Sequence, residues 1–300
     1  MCGITALQIR DPELREDLGE LLHGMLCQVV DRGPDSAGIS VYDDDRLTRG
    51  GQATVSILDT PLDDQHLSDR LRDALPQDAD VTVRTVRETT VINAAVEVGE
   101  LVAAVRSVAP QAQQIGRGTH VVTLKGVGNP VALADAFGLR QVVGSQGVTH
   151  TRMATESAVT ASGSHPFAVD DDLCLVHNGS FSNHASIRRR LRAKGVSFDS
   201  DNDSEVAARF LAWRLREGDD LETALASLQE QFDGFYTLVI TTKDRMAVVR
   251  DPIACKPAVV AETDRWVAMA SEYRALAGLP GVEEARLFEP EPGRVYTWTC

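Results

Sequence analysis

Three hundred residues with 43% hydrophobic content can bury a large core, which excludes a disordered chain and fits one large domain or two smaller ones. A formal charge of −14 argues against nucleic acid as a partner, because the one basic cluster, Arg188, Arg189, Arg190 and Arg192, reads as the solvated side of a helix. Five cysteines (Cys2, Cys27, Cys174, Cys255 and Cys300), widely spaced and without C-x-x-C, indicate neither a disulfide framework nor a zinc site, and no apolar run approaches about eighteen residues, so a reducing cytoplasm is expected and export or a membrane span is not.

The chain opens MCGITALQI, and alternation of Ile4, Ala6 and Ile9 with Thr5 and Gln8 predicts a first strand. Cys2 has two readings there. As a small hydrophobe it merely begins the strand; with Met1 removed, its thiol and a free α-amine of pKa about 7.7 to 8.0 place nucleophile and base on one residue. The segment 11–30 follows as an amphipathic helix, with Asp11 as cap, Pro12 in the first turn and Leu14, Leu18, Leu21, Leu22, Met25, Leu26 and Val29 on one face. RGPDSAG is punctuated as a turn and leads into a strand at GISVY. The interval of about 51–145 carries strand-like VTVRTV and HVVTLKG on either side of a helical NAAVEVGELVAAVRSV at 93–108, and no motif with assignable chemistry. Strands are expected at GVTHTR and LCLVHNG, and helices over 182–194 and 203–216. The remaining chain reads as short alternating strands, GFYTLVITT, RMAVVR, AVVAE, WVAMAS and VYTWT, joined by tight turns that favour antiparallel pairing.

Four polar stretches stand out: RGPDSAG, THTRMATES, VHNGSFSN and DNDSE. Each has an ordinary structural reading. HNGS after an apolar strand is a turn, DNDSE is a helix start with acidic residues at the positive end of the dipole, and Arg152 reads as a surface charge. Taken together and in this order behind Met-Cys-Gly, the set resembles the class II glutamine amidotransferases, whose glutaminase domain is an N-terminal nucleophile hydrolase.

The resemblance implies roles residue by residue. MCGI implies removal of Met1 and a catalytic Cys2; RGPDSAG at 32–38 implies a supporting Arg32. THTRMAT matches the family's glutamine loop, with Arg152 as partner of the substrate α-carboxylate and Thr155 as a second contact, a pairing suited to a planar guanidinium. HNGS implies an oxyanion site from the Asn178 side-chain amide and the Gly179 backbone N–H, and DNDSE makes Asp203 the counterion of the substrate ammonium. The run Met153-Ala154-Thr155-Glu156-Ser157 departs from relatives that carry Trp after the arginine and His-Gly after the threonine. RDPIACKPAVV resembles a late strand of the phosphoribosyl-pyrophosphate amidotransferases, and Cys255 within it is read as structural. His150, His165 and His177 are read as hydrogen-bonded, not as half of a Cys-His dyad.

The implied fold is a four-layer α/β/β/α sandwich of two antiparallel sheets, one domain over 1–300 with an insertion at about 51–145. The implied activity is hydrolysis of glutamine to glutamate and ammonia, with no metal and no cofactor on this chain. No synthase segment is recognisable, so a separate acceptor subunit is expected. LKGVGNP, RDPIACKP and SEYRALAGLPG resemble the amidotransferase subunit of glutamate-synthase-like and N-methylglutamate synthase complexes, whose other subunits would carry FMN and iron-sulfur centres. Two alternatives stand beside this: a non-catalytic subunit that senses glutamine, and an N-terminal-nucleophile amidase acting on penicillin-like or bile-acid amides.

Overall fold

The structure is a computed structural model that describes residues 2–153 and 159–299. Strand β1 (Gly3–Ile9) is buried along its whole length, because it lies inside a sheet covered on both faces. Ile4 and Ala6 face a second sheet, while Leu7 and Ile9 join the cluster beneath helix α1 (Leu18–Val29). The expected helix over 11–30 begins as a 3-10 segment at Pro12–Asp17, with the Asp11 carboxylate accepting from the Glu13 N–H at 3.0 Å. Leu18, Leu22, Met25, Leu26 and Val29 are its buried stripe. Strand β2 (Ser36–Tyr42) returns into the same sheet and is followed by the single turn α2 (Asp45–Thr48).

Residues 53–118 then form a unit with its own core. Strand β3 (Ala53–Leu58), helix α3 (Asp64–Ala74), strands β4 (Thr82–Val86) and β5 (Thr89–Ala94), helix α4 (Val98–Val108) and strand β6 (Gln113–Gly118) build an antiparallel sheet in the order β4-β5-β3-β6. That is the split βαβ arrangement in which two βαβ halves interlock. Val55, Ile57, Ile92, Leu67, Leu71 and Leu101 fill the space between sheet and helices. The helix expected over 93–108 starts only at Val98. Asn93 and Ala94 belong to β5, where the Asn93 amide donates to the Leu47 carbonyl at 2.9 Å and to Thr54 Oγ1 at 2.8 Å, contacts that periodicity cannot foresee.

The chain re-enters the main body through β7 (Val121–Val127), α5 (Pro130–Phe137) and β8 (Gln146–Arg152). A second sheet is built next, from β9 (Phe167–Asp170) and β10 (Leu173–Phe181), with helices α6 (His184–Ala193), α7 (Asp203–Arg216) and α8 (Leu221–Gln231) packed on its outer face, and then β11 (Gly234–Thr241) and β12 (Arg245–Arg250). Strands β13 (Val259–Glu262), β14 (Trp266–Ala270) and β15 (Arg286–Phe288) go back to the first sheet, and β16 (Val295–Thr299) closes the second. The first sheet runs β15-β13-β14-β1-β8-β2-β7 and the second β16-β12-β11-β10-β9. Helices α1 and α5 cover one, helices α6 to α8 the other, and Ile4, Val148, Val176, Val239, Val248 and Met269 fill the layer between them. The four-layer α/β/β/α sandwich expected from the sequence is therefore present, with the 53–118 sheet added to it. Among the described residues no helix is long and apolar enough to cross a membrane.

Candidate active site

The site forms where β1, β8 and β10 end beside one another. Gly3 pairs with Thr151 across β1 and β8, and the Gly3 N–H donates to Thr151 Oγ1 at 3.1 Å, which fixes the backbone next to Cys2. Two side chains converge on the Cys2 carbonyl: Arg32 Nε donates to it at 2.9 Å and Asn178 Nδ2 at 3.4 Å. Arg32 is held in turn by Glu272 Oε1 at 2.7 Å from its Nη1, and the Arg32 and Arg274 guanidiniums keep the Glu272 carboxyl below its ordinary pKa. Glu272 follows β14, and nothing in the sequence around it signals this contact.

Arg152 ends β8 and is 8% exposed. The RGPDS loop clamps its backbone: the Asp35 N–H donates to the Arg152 carbonyl at 3.1 Å, and a Cβ on Gly33 would stand 2.5 Å from the Arg152 carbonyl carbon, so only glycine permits the approach. The loop that supplies Arg32 thus also sets Arg152. On the other side, a Cβ on Gly163 would lie 3.1 Å from Arg152 Nη1, and the Gly163 carbonyl accepts from Asn202 Nδ2 at 3.3 Å. Asn202 caps α7, accepting from the Ser204 N–H at 2.8 Å, and Asp203 opens that helix. Asp203 reaches back to β10, its Oδ2 accepting from the Phe181 N–H at 2.9 Å.

Asn178 and Gly179 lie side by side on β10, paired with Thr237 and Tyr236. Asn178 is 4% exposed and its amide turns inward to Cys2; Gly179 is exposed, and a Cβ there would fall 2.0 Å from the Phe235 carbonyl oxygen. Of the residues singled out in the sequence, Cys2, Arg32 and Asn178 are joined by hydrogen bonds, Gly179 is adjacent, and Arg152 and Asp203 approach through Gly163 and Asn202. Thr155 lies outside the described residues.

The three histidines sit behind this site. His150 Nε2 is 3.2 Å from the His177 carbonyl, the His150 and His165 rings are 4.1 Å apart, and His177 Nδ1 is 2.7 Å from Ser204 Oγ, which donates to Asp203 Oδ1 at 3.3 Å. Burial pushes His150 down to about 3 and His177 to about 4, and it holds His165 well below its ordinary value, so all three are neutral near pH 7. Ser204 and His177 tie the start of α7 to β10, a link that VHNGSFSN and DNDSE do not reveal although each contains one of the two residues. Cys255, expected to be structural, is exposed. The ordering of its loop comes from Asp251, whose carboxylate accepts from the N–H groups of Tyr236, Ile253 and Ala254.

Comparison with known proteins adds to this geometry. Residues 150–278 match the glutamine amidotransferase domain family, a span that includes Arg152, Asn178, Gly179, Asp203 and Glu272. The glutamine amidotransferase-like protein GlxB of Rhizobium meliloti is 46% identical over 300 residues, covering 99% of this chain and 98% of that one. The chain belongs to the glutamine amidotransferase family. A shorter likeness joins this amidotransferase to the glutamine–fructose-6-phosphate aminotransferase of Idiomarina loihiensis, 34% identical over 134 residues that make up 44% of this chain and 22% of that enzyme. Its fold is similar to that of the glutamine phosphoribosylpyrophosphate amidotransferase of B. subtilis, with a TM-score of 0.61 at 19% identity, over 99% of this chain and 47% of the other. The amidotransferase thus spans about half the length of that solved structure and nearly the whole of GlxB.

Proposed function

We propose that this amidotransferase is a glutaminase with Cys2 as nucleophile, acting after removal of Met1. The freed α-amine takes the thiol proton and the sulfur attacks the δ-carbonyl of glutamine. Asn178 Nδ2 and the Gly179 N–H donate to the oxygen that becomes negative, Arg152 with Thr155 holds the α-carboxylate, and Asp203 holds the α-ammonium. Collapse of the intermediate breaks the C–N bond as the protonated amine gives its proton to the leaving nitrogen, so ammonia departs and a γ-glutamyl thioester remains. Water, deprotonated by the same amine, then cleaves the thioester to glutamate and restores the thiol.

The observation that carries this reading is the convergence of Arg32 Nε and Asn178 Nδ2 on the Cys2 carbonyl, which fixes the cysteine backbone beside a neutral amide N–H donor of the kind an oxyanion needs. A sensor of glutamine has no use for a cysteine whose backbone is fixed in this way at the head of the chain, and amides of penicillin or bile acids lack the paired charges that Arg152 and Asp203 would serve. The ammonia is proposed to pass to a separate synthase subunit of the glutamate-synthase-like or N-methylglutamate synthase type, carrying FMN and iron-sulfur centres. That part of the reading rests on the stretches LKGVGNP, RDPIACKP and SEYRALAGLPG.

Glutamate release from glutamine by the purified chain, with the intact mass of the same sample, tests the reading. Turnover is expected only in protein lacking Met1 and is abolished in Cys2→Ala. Equal turnover with Met1 retained overturns the N-terminal mechanism, and acceptor-independent turnover at full rate overturns the complex.

A further inference from the structure

The 53–118 unit meets the main body along a cleft of about 210 Å³, bounded by α2, β4, β5, β7 and α5. Its floor is apolar and buried: Val91, Leu124 and Phe137 are 6%, 5% and 3% exposed. Its rim carries Arg46, Arg49 and Arg84, and no acidic residue lines it. In a chain with 44 acidic and 30 basic residues this is a local inversion of charge. The larger cleft on the far side of the same unit shows the contrast, being lined by Asp59, Asp63, Asp64 and Glu88 against Arg87 alone.

The three guanidiniums have donors to spare. Arg46 reaches Asp44 Oδ2 only at 3.6 Å and the Gly138 carbonyl at 3.4 Å, and Arg49 reaches Asp80 Oδ2 at 3.5 Å. Arg84 forms no ion pair among the described residues. Each guanidinium offers five N–H donors in a fork that fits carboxylate or phosphate, so long single contacts leave most of that capacity unused. Arg49 also sits at φ +55°, in the left-handed region that glycine occupies most easily, directly before Gly50 and Gly51, so the arginine occupies a position where its backbone is strained. Asn93 is locked by Leu47 and Thr54, which holds β5 against α2 and keeps the cleft walls in place.

We propose that this cleft binds a compact organic oxyanion, with its charged head on Arg46, Arg49 and Arg84 and an apolar body against Val91, Leu124 and Phe137. The volume is below the roughly 300 Å³ at which sites for drug-sized ligands begin, so the ligand is small. Such a ligand bridges the 53–118 unit to β7, whose Leu124 pairs with Ile39 of β2, the strand that follows the Arg32 loop. The site is separate from Cys2 and stands whether or not the glutaminase reading holds.

Thermal unfolding and calorimetric titration of the full chain at constant ionic strength test the proposal, with phenyl phosphate, benzoate, inorganic phosphate and benzyl alcohol as probes. At least one of the two aromatic anions is expected to bind one to one and to raise Tm saturably. Whichever binds tighter identifies the head as phosphate or carboxylate. Inorganic phosphate should bind at least tenfold more weakly and benzyl alcohol not at all. Arg49→Ala with Arg84→Ala should weaken the aromatic anion at least tenfold, whereas Arg87→Ala, outside the cleft, and Cys2→Ala should leave it unchanged. No saturable binding of either anion, equal binding of benzyl alcohol, or undiminished binding in the Arg46/Arg49/Arg84 triple alanine variant overturns it.

Discussion

Arg32 Nε donates to the Cys2 carbonyl at 2.9 Å while Arg32 Nη1 is held by Glu272, so a residue thirty positions along the chain and another beyond β14 jointly fix the backbone of the second residue. The consequence is testable through the partner that does not touch Cys2. Glu272→Gln removes the charge and keeps an acceptor oxygen, and is expected to lower kcat by a few fold with KM unchanged. Arg32→Ala is expected to cost more, because Cys2 then loses its shorter hydrogen bond. Steady-state glutaminase kinetics of both variants read the difference, and an unchanged kcat in Arg32→Ala would show that the Cys2 backbone needs no such tether.

Asn178→Ala removes one of the two proposed oxyanion donors. Loss of a single donor costs about 2.7 to 4 kcal/mol, or about 10²- to 10³-fold in kcat, and the effect should fall on kcat, not on KM. Gly179→Ala is a different lesion. Its Cβ would stand 2.0 Å from the Phe235 carbonyl oxygen, so β10 and β11 must separate there, and a lowered Tm is expected together with lost activity.

Asp203 has an observed contact and a proposed task that substitution can separate. Asparagine keeps an oxygen for the Phe181 N–H, now at 2.9 Å from Oδ2, but not the negative charge. Asp203→Asn should therefore raise KM for glutamine with Tm unchanged, while Asp203→Ala should raise KM and lower Tm. Equal KM in wild type and Asp203→Asn would show that the substrate ammonium is not held here.

Lys125 of β7 is 1% exposed, its Nζ 4.7 Å from the Phe167 ring centroid, and burial pulls its pKa down to about 7. The unfolded lysine titrates near 10.4, so between about pH 7 and 10.4 the unfolded chain holds the proton that the folded chain has released, and stability rises with pH across that window. Below about pH 7 the folded chain bears the full cost of the buried charge. Lys125→Met, close in shape, is expected to raise Tm at pH 7, with the gain shrinking as pH rises toward 10. Thermal unfolding at pH 7 and pH 9.5 measures it; a gain that grows with pH would contradict the assignment.

The sequence by itself carried the local part of this protein. The buried stripe of α1, the span 203–216 of α7 and the alternating strands from 234 onward are periodic patterns, and periodicity is a property of neighbouring residues. Turn chemistry likewise marked RGPDS, whereas HNGS, readable as a turn, lies inside β10 and pairs with β11, Gly179 alone taking a positive φ there. Helices α3, α5 and α8 escaped: α3 has a sparse apolar stripe, α5 is short enough that its Asn129 cap and Gly138 stop enclose only eight residues, and α8 carries a full stripe, Leu221, Ala224, Leu225 and Leu228, that periodicity could have marked. What only the tertiary structure decided is whatever depends on strands far apart in sequence. The split βαβ order of 53–118 follows from β6 pairing with β3, the neutral histidines from closure of two sheets over them, and the Glu272 contact from β14 lying beside β1. Long-range pairing selects among many registers that local propensity leaves nearly equal in energy, and burial between two layers sets the charge state of groups that in an isolated strand would face water.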